Sequence, residues 1–178
     1  MHRPRVLELG TKRSIPGRST KHEAWIPHAS EYLGTDIESG PDVDIVADVH
    51  RLTEVINEES FDIIVSCSSF EHFKYPHLAA HQVMKALKLR GLLFIQTHQT
   101  FPLHSVPHDY FRFSREALAS LFGTAMGFQV IATNFDFPAR IYARDEPAVC
   151  MHPAYLNVQL FGEKTHKTPA DYIFEFDV

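Results

Sequence analysis

The sequence predicts an α/β fold: a doubly wound, mostly parallel sheet with an antiparallel C-terminal edge. Three observations predict it. The first fifty residues hold three short apolar runs, each stopped by a glycine or an acid: Val6 to Gly10, Tyr32 to Asp36 and Ile45 to Asp48. Buried parallel strands read as near-continuous apolar runs. Two further runs, Phe61 to Val65 and Leu92 to Gln96, flank a stretch of helical periodicity. Strand alternating with helix is the pattern of a parallel sheet. Near the C-terminus, Gly127 to Ala132 and Leu156 to Phe161 read as strands that pair antiparallel at the edge. A chain of 178 residues is one domain's worth and long enough for a sizeable core.

In chain order, the first strand begins almost at the N-terminus of this sequence, and another segment or a second subunit, as in a homodimer, is expected to close the site. The loop from Lys12 to Lys21 turns at Pro16-Gly17 and carries Lys12, Arg13, Arg18 and Lys21. A short helix is expected over 22–28, limited by Pro27. Leu52 to Glu58 has helical character. Phe61 to Val65 carries adjacent β-branched residues suited to a buried strand. Pro76 suits the first turn of a helix reaching about Leu89, with Val83, Met84 and Leu87 as its apolar stripe and Gly91 ending the turn. After the fifth strand comes a long loop, 97–113. Ser114 then caps a helix with Ala117, Leu118 and Leu121 inward. The segment 136–153 has three prolines and no clear periodicity, and is expected as an excursion over the acceptor side or a subunit contact. Tyr172, Phe174 and Phe176 alternate like a half-buried strand.

Ligands of such sheets bind where the carboxyl ends of the strands meet the loops, so Gly10, Asp36 and Asp48 should face one crevice. Gly10 lets backbone approach a ligand. A carboxylate after the second strand can accept hydrogen bonds from both ribose hydroxyls. The site therefore reads as a nucleoside site. A dinucleotide fingerprint would place glycines at 12 and 15, where this chain has Lys12 and Ile15. A pyrophosphate fits such a loop poorly. S-adenosylmethionine carries no phosphate; its carboxylate could use Lys12 or a loop amide, and its sulfonium tolerates an acid such as Glu8.

Several segments in order carry a resemblance: Leu7-Glu8-Leu9-Gly10, Gly34-Thr35-Asp36-Ile37, Val46 to Leu52, Phe61 to Ser66, Phe70-Glu71-His72, Leu87 to Leu93, and His108 to Phe113. From Val6 to about Phe122 the chain resembles a class I S-adenosylmethionine-dependent methyltransferase of the small methyltransferase-11-like type. The resemblance implies a Rossmann-like sheet, S-adenosylmethionine as cofactor, and cofactor contacts at Glu8, Gly10, Thr11, Lys12, Asp36, Ile37, Asp48, Val49 and Ser66. The chain departs from the family's pattern at Lys12 and at Arg90 before a single Gly91.

Methyl transfer mainly requires positioning and exclusion of water. A base is needed only where the acceptor must lose a proton. The candidates are His98 and His104 on the long loop, and His72 in the Glu71-His72 pair. Asp109 and Arg112 are expected to pair and pin that loop. A metal is not expected: Pro107 separates His104 from His108, and the loop's spacing matches no zinc pattern. The expected function is methyl transfer to a small molecule, most directly a hydroxyl of a sugar or secondary metabolite. The alternatives are a non-catalytic nucleoside-binding or assembly subunit that kept the fold, and a nicotinamide-dependent oxidoreductase, against which the missing glycines count. The net charge of −5 argues against a nucleic-acid partner. Two cysteines make no disulfide framework, which fits a cytoplasmic protein. No run reaches the length of a membrane span, and the N-terminus is no signal peptide.

Overall fold

The structure, a computed structural model, describes residues 3–148, 150–170 and 172–174. The half-strand expected through Phe176 lies partly outside these residues. Seven strands form one sheet in the order β3-β2-β1-β4-β5-β7-β6. They are β1 (Arg5–Leu9), β2 (Glu31–Asp36), β3 (Ile45–Val46), β4 (Phe61–Cys67), β5 (Leu87–His98), β6 (Phe128–Ile141) and β7 (His152–Lys164). β1 to β5 pair in parallel. β7 pairs antiparallel with both β5 and β6, as the C-terminal pattern predicts.

Alternation along the strands divides the two faces. Leu7, Leu9, Ile64, Leu93 and Ile95 enter the main core with the helices α1 (Pro76–Ala86) and α2 (Arg115–Ser120). Pro76 opens α1, and Ala79, Ala80, Val83 and Met84 form its buried stripe. Ser114 Oγ accepts from Ala117 N at 3.1 Å and caps α2. The other face is covered differently. Val6, Tyr32 and Val65 meet Ile26 and Ala29 of the loop between β1 and β2. That loop holds only a 3-10 turn, Glu23–Trp25, where a helix was expected. Pro16, Gly17 and Pro27 leave too short a run for an α-helix.

Three boundaries differ from the sequence reading. α1 stops at Ala86, because Leu87 already pairs with Phe61. Pairing resumes at Ile63 with Leu92, so Lys88 to Gly91 bulge out of the ladder with Arg90 at φ 65°. A Cβ on Gly91 would lie 2.7 Å from both Leu87 Cδ1 and Lys88 O, so the bulge closes only on glycine. Helical character after β3 falls on a 3-10 turn, Val49–Glu54, capped by Asp48. Segment 136–153 is strand at both ends, where β6 and β7 run on as a hairpin pairing Asp136 with Asn157 and Ile141 with His152, and is irregular over the described residues between them. Its strand prolines fit because Pro138 lies on β6, the sheet's edge, and Pro153 lies beyond the part of β7 that β5 pairs, while Pro147 sits in the turn between the strands. Among the described residues no helix is long and apolar enough to cross a membrane, and both cysteines are free.

Candidate active site

One cavity of about 990 Å³ opens at the carboxyl ends of β1, β2, β4 and β5. Gly10, Asp36 and Asp48 all line it, as the strand ends predict. The first loop is held tightly. Gly10 N and Thr11 N both donate to Thr35 O, at 2.8 and 3.1 Å. Gly10 has φ +72°, and a Cβ there would lie 2.0 Å from Ser69 Oγ, so no larger residue fits. Ser69 Oγ itself spans Leu9 O and Cys67 O at 3.2 and 3.1 Å, tying the loop after β4 to the end of β1.

Asp36 ends β2 with each carboxylate oxygen holding one backbone amide: Lys12 N at 3.0 Å and Glu38 N at 3.2 Å. Each oxygen keeps a second acceptor site. Asp48 Oδ1 accepts from His50 N at 3.0 Å and from His50 Nδ1 at 2.6 Å, which fixes the turn presenting Val49 and His50 to the cavity. Burial works against the charged form of Asp48, yet these bonds hold its carboxyl below the ordinary range. Ile37 and Lys12 also line the cavity, but the Lys12 ammonium is ion-paired with Glu38.

Three expected cofactor contacts are not cavity residues. Glu8 points to the opposite face of the sheet from Leu7 and Leu9. It is 2% exposed and accepts from Tyr32 OH, His22 N and His22 Nδ1 at 2.6, 2.8 and 2.6 Å. Thr11 is buried, with Oγ1 donating to Asp42 O at 2.8 Å. Ser66 is fully buried in the ladder between Leu9 and Ile95. Period-two alternation is the reason at Glu8 and Ser66, since the neighbour of a cavity residue on a strand faces elsewhere, whereas Thr11 lies past the end of β1 in the loop. Cys67, Ser68 and Ser69 take the place expected for Ser66.

The far half of the cavity is lined by His72, His98, Phe101, His104 and His108. The loop that supplies most of these is stitched down. Tyr110 N and Phe111 N donate to Glu71 O, and Phe113 N donates to His98 O. Arg112 grips Asp109 through two bonds of 2.6 and 2.9 Å and reaches Phe101 O and Pro102 O. The expected structural pairing of Asp109 with Arg112 is thus present, and the guanidinium holds the Asp109 carboxyl well below the usual carboxylate range.

Glu71 lies beneath the histidines with no exposure, a residue whose central place the sequence pattern did not reveal. Its Oε2 accepts from Thr97 Oγ1 at 2.6 Å. Its Oε1 lies 3.0 Å from His98 Nε2 and 3.8 Å from His72 Nε2. Burial disfavours the charged form of both Glu71 and His98, but their contact outweighs it: Glu71 is held below the usual carboxylate range and His98 above the usual imidazole value. His98 Nδ1 donates to Asn157 Oδ1 at 3.0 Å across the β5–β7 ladder, and the ring stacks on Phe101 with centroids 3.9 Å apart. His98 thus has Nδ1 hydrogen-bonded and Nε2 set close against the Glu71 carboxylate. In His104 and His72, Nδ1 donates to Pro102 O at 3.1 Å and to His108 O at 2.7 Å respectively, because a carbonyl can only accept. Each keeps an Nε2 lone pair.

A methyltransferase domain family matches residues 20–95. No curated protein matches the chain. Among solved structures, the chain is similar to the 1,6-didemethyltoxoflavin-N1-methyltransferase of Burkholderia thailandensis, solved with 1,6-didemethyltoxoflavin and S-adenosylhomocysteine. That match has 16% identity and a TM-score of 0.64, covering 93% of this chain and 72% of that one. It is also similar to an S-adenosylmethionine-dependent methyltransferase of Archaeoglobus fulgidus (14% identity, TM-score 0.66, 91% and 86% covered). A third is the S-adenosylmethionine-dependent methyltransferase of Mesorhizobium loti (15% identity, TM-score 0.62, 90% and 91% covered). Residues 20–95 thus match a methyltransferase-domain family, and the chain as a whole has the fold of class I S-adenosylmethionine-dependent methyltransferases.

Proposed function

We propose that this protein transfers a methyl group from S-adenosylmethionine to a small-molecule acceptor, most directly a hydroxyl of a sugar or secondary metabolite. The observation that carries the reading is the single cavity that joins the strand-end acids to the histidine cluster. At about 990 Å³ it stands at the top of the roughly 300–1,000 Å³ range of ligand pockets, room for a nucleoside cofactor and a small acceptor together.

Asp36 offers its remaining acceptor sites to the ribose hydroxyls, and the turn at Asp48 and Val49 flanks the adenine. Backbone amides near Gly10, rather than the Lys12 ammonium that Glu38 holds, receive the carboxylate. S-adenosylmethionine, when bound, supplies a methyl carbon on a sulfonium, open to in-line attack. The chain's residues hold the acceptor against it and exclude water. Where the acceptor is a hydroxyl, its proton passes to a ring nitrogen with a free lone pair. His104 and His72 fit that role by their tautomers, with His98 packed against His104 and His104 against His72. This revises the roles expected for the three histidines while keeping all three at the acceptor end.

The test is a turnover assay on an acceptor identified by mass spectrometry of methylated products. His104→Ala should lower turnover by about 10²–10⁴-fold, the usual contribution of a general base, with S-adenosylmethionine affinity nearly unchanged. Unchanged turnover in both His104→Ala and His72→Ala would remove the proton-accepting role from this cluster.

A further inference from the structure

The histidine end of the cavity has a feature that proton transfer does not require. His72, His98 and His104 each donate Nδ1–H to an oxygen that can only accept: His108 O, Asn157 Oδ1 and Pro102 O. All three rings are thereby locked in the orientation that leaves Nε2 for the interior. This is how metal-binding histidines are held, with the second nitrogen anchored to a carbonyl or carboxylate.

At the centre lies Glu71 Oε1, fully buried and without a hydrogen bond. His98 Nε2 stands 3.0 Å from it, yet the two do not align as donor and acceptor. Two ligand atoms sharing an ion at ~2.0–2.1 Å sit in this way, roughly 3.3 Å apart, each directed at the ion and not at the other. One donor atom from each of Glu71, His98 and His104 lies within 4.8 Å of the others, and His72 Nε2 is 3.8 Å from the same Glu71 oxygen. Two other donor clusters among the described residues fit less well. Asp109, grouped with His72 and His104, is gripped by Arg112, and Glu8, grouped with His22 and Cys67, already accepts three hydrogen bonds.

We propose that Glu71, His98 and His104 form a site for a divalent first-row transition cation of the zinc type, with His72 beside it. Imidazole and carboxylate donors suit such ions, and three protein ligands with a position open to the cavity are the pattern of catalytic zinc. The sequence reading set a metal aside on spacing within one loop. The carboxylate comes instead from the turn after β4, which only the fold brings under His98. The inference rests on this donor geometry and not on methyl transfer. If both hold, Glu71, His98 and His104 would hold an ion able to polarise an acceptor oxygen, and His72 would be left as the proton acceptor.

The experiment is calorimetric titration of the chelator-stripped full chain with Zn²⁺, with elemental analysis after dialysis. One ion per chain is expected. His104→Ala, on the partly exposed loop, and the near-isosteric Glu71→Gln should each weaken binding at least tenfold, while His152→Ala on the distant hairpin should not. Circular dichroism checks that each variant is folded. Absence of binding to the folded wild type, or wild-type affinity in folded His104→Ala, overturns the proposal. S-adenosylhomocysteine titrated into the same stripped samples reports separately on the cofactor half, so loss of one reading is distinguishable from loss of the other.

Discussion

Replacing Asp36 by alanine separates cofactor recognition from loop architecture. The carboxylate makes two contacts within the chain, with Lys12 N at 3.0 Å and Glu38 N at 3.2 Å, both in exposed surroundings. Water can satisfy those amides once the side chain is gone, so folding stability should fall by no more than ~1 kcal/mol. The ribose is different. Hydrogen bonds to a charged group contribute about 1.5–3 kcal/mol each. Two of them in a half-exposed position, taken at the lower bound, amount to ~3 kcal/mol, or roughly 150-fold in Kd. Asp36→Asn keeps one acceptor oxygen and should lose about half of that free energy. The assay is calorimetry with S-adenosylhomocysteine, paired with urea denaturation of each variant. Unchanged affinity in a folded Asp36→Ala protein refutes the ribose assignment and leaves Asp36 as a staple for the Lys12 and Glu38 backbone.

Two further predictions concern the scaffold. Lys164 is 1% exposed and its ammonium donates to Met84 O and Leu87 O at 2.8 and 2.7 Å, holding the end of α1 to the end of β7. Lys164→Met strands two carbonyls and should destabilise by ~2–3 kcal/mol in urea denaturation; a change below ~0.5 kcal/mol contradicts the role. Asp42 accepts from Arg13 in a bidentate pair at 2.9 Å and from Thr20 N at 3.1 Å, and the guanidinium holds its carboxyl well below the ordinary range. A depressed folded pKa gives stability that is full above the unfolded value near ~3.9 and is lost as pH falls toward the folded one. Arg13→Gln should therefore shrink the stability gap between neutral pH and about pH 3, and an identical acid limb counts against the pairing.

The strands were legible because apolar runs and their stops are local. Gly10, Asp36 and Asp48 could be placed in one crevice from strand ends alone. What period two assigns to the other face was harder to see. Glu8 looked like a cofactor residue by adjacency to Gly10, but its side chain leaves on the side of Val6 and is consumed by Tyr32 and His22. Pro138 and Pro153 read as irregular together with Pro147, since a proline tolerated at a sheet edge looks the same in sequence as one in a turn. Asn157 carried no local signal at all: its meeting with His98 is a consequence of the β5–β7 register. Glu71 was visible only as half of a dipeptide, because its burial under His98 depends on the loop from 97 to 113 folding back over the turn after β4.

The central claim is that the strand-end cavity binds S-adenosylmethionine. Calorimetric titration of the wild-type chain with S-adenosylmethionine, S-adenosylhomocysteine and NAD tests it most directly. Saturable one-to-one binding of the first two, with NAD silent, is the result expected from Asp36 beside a loop that holds Lys12 and Ile15 in place of glycines. Binding of NAD with no response to either S-adenosyl compound would contradict it.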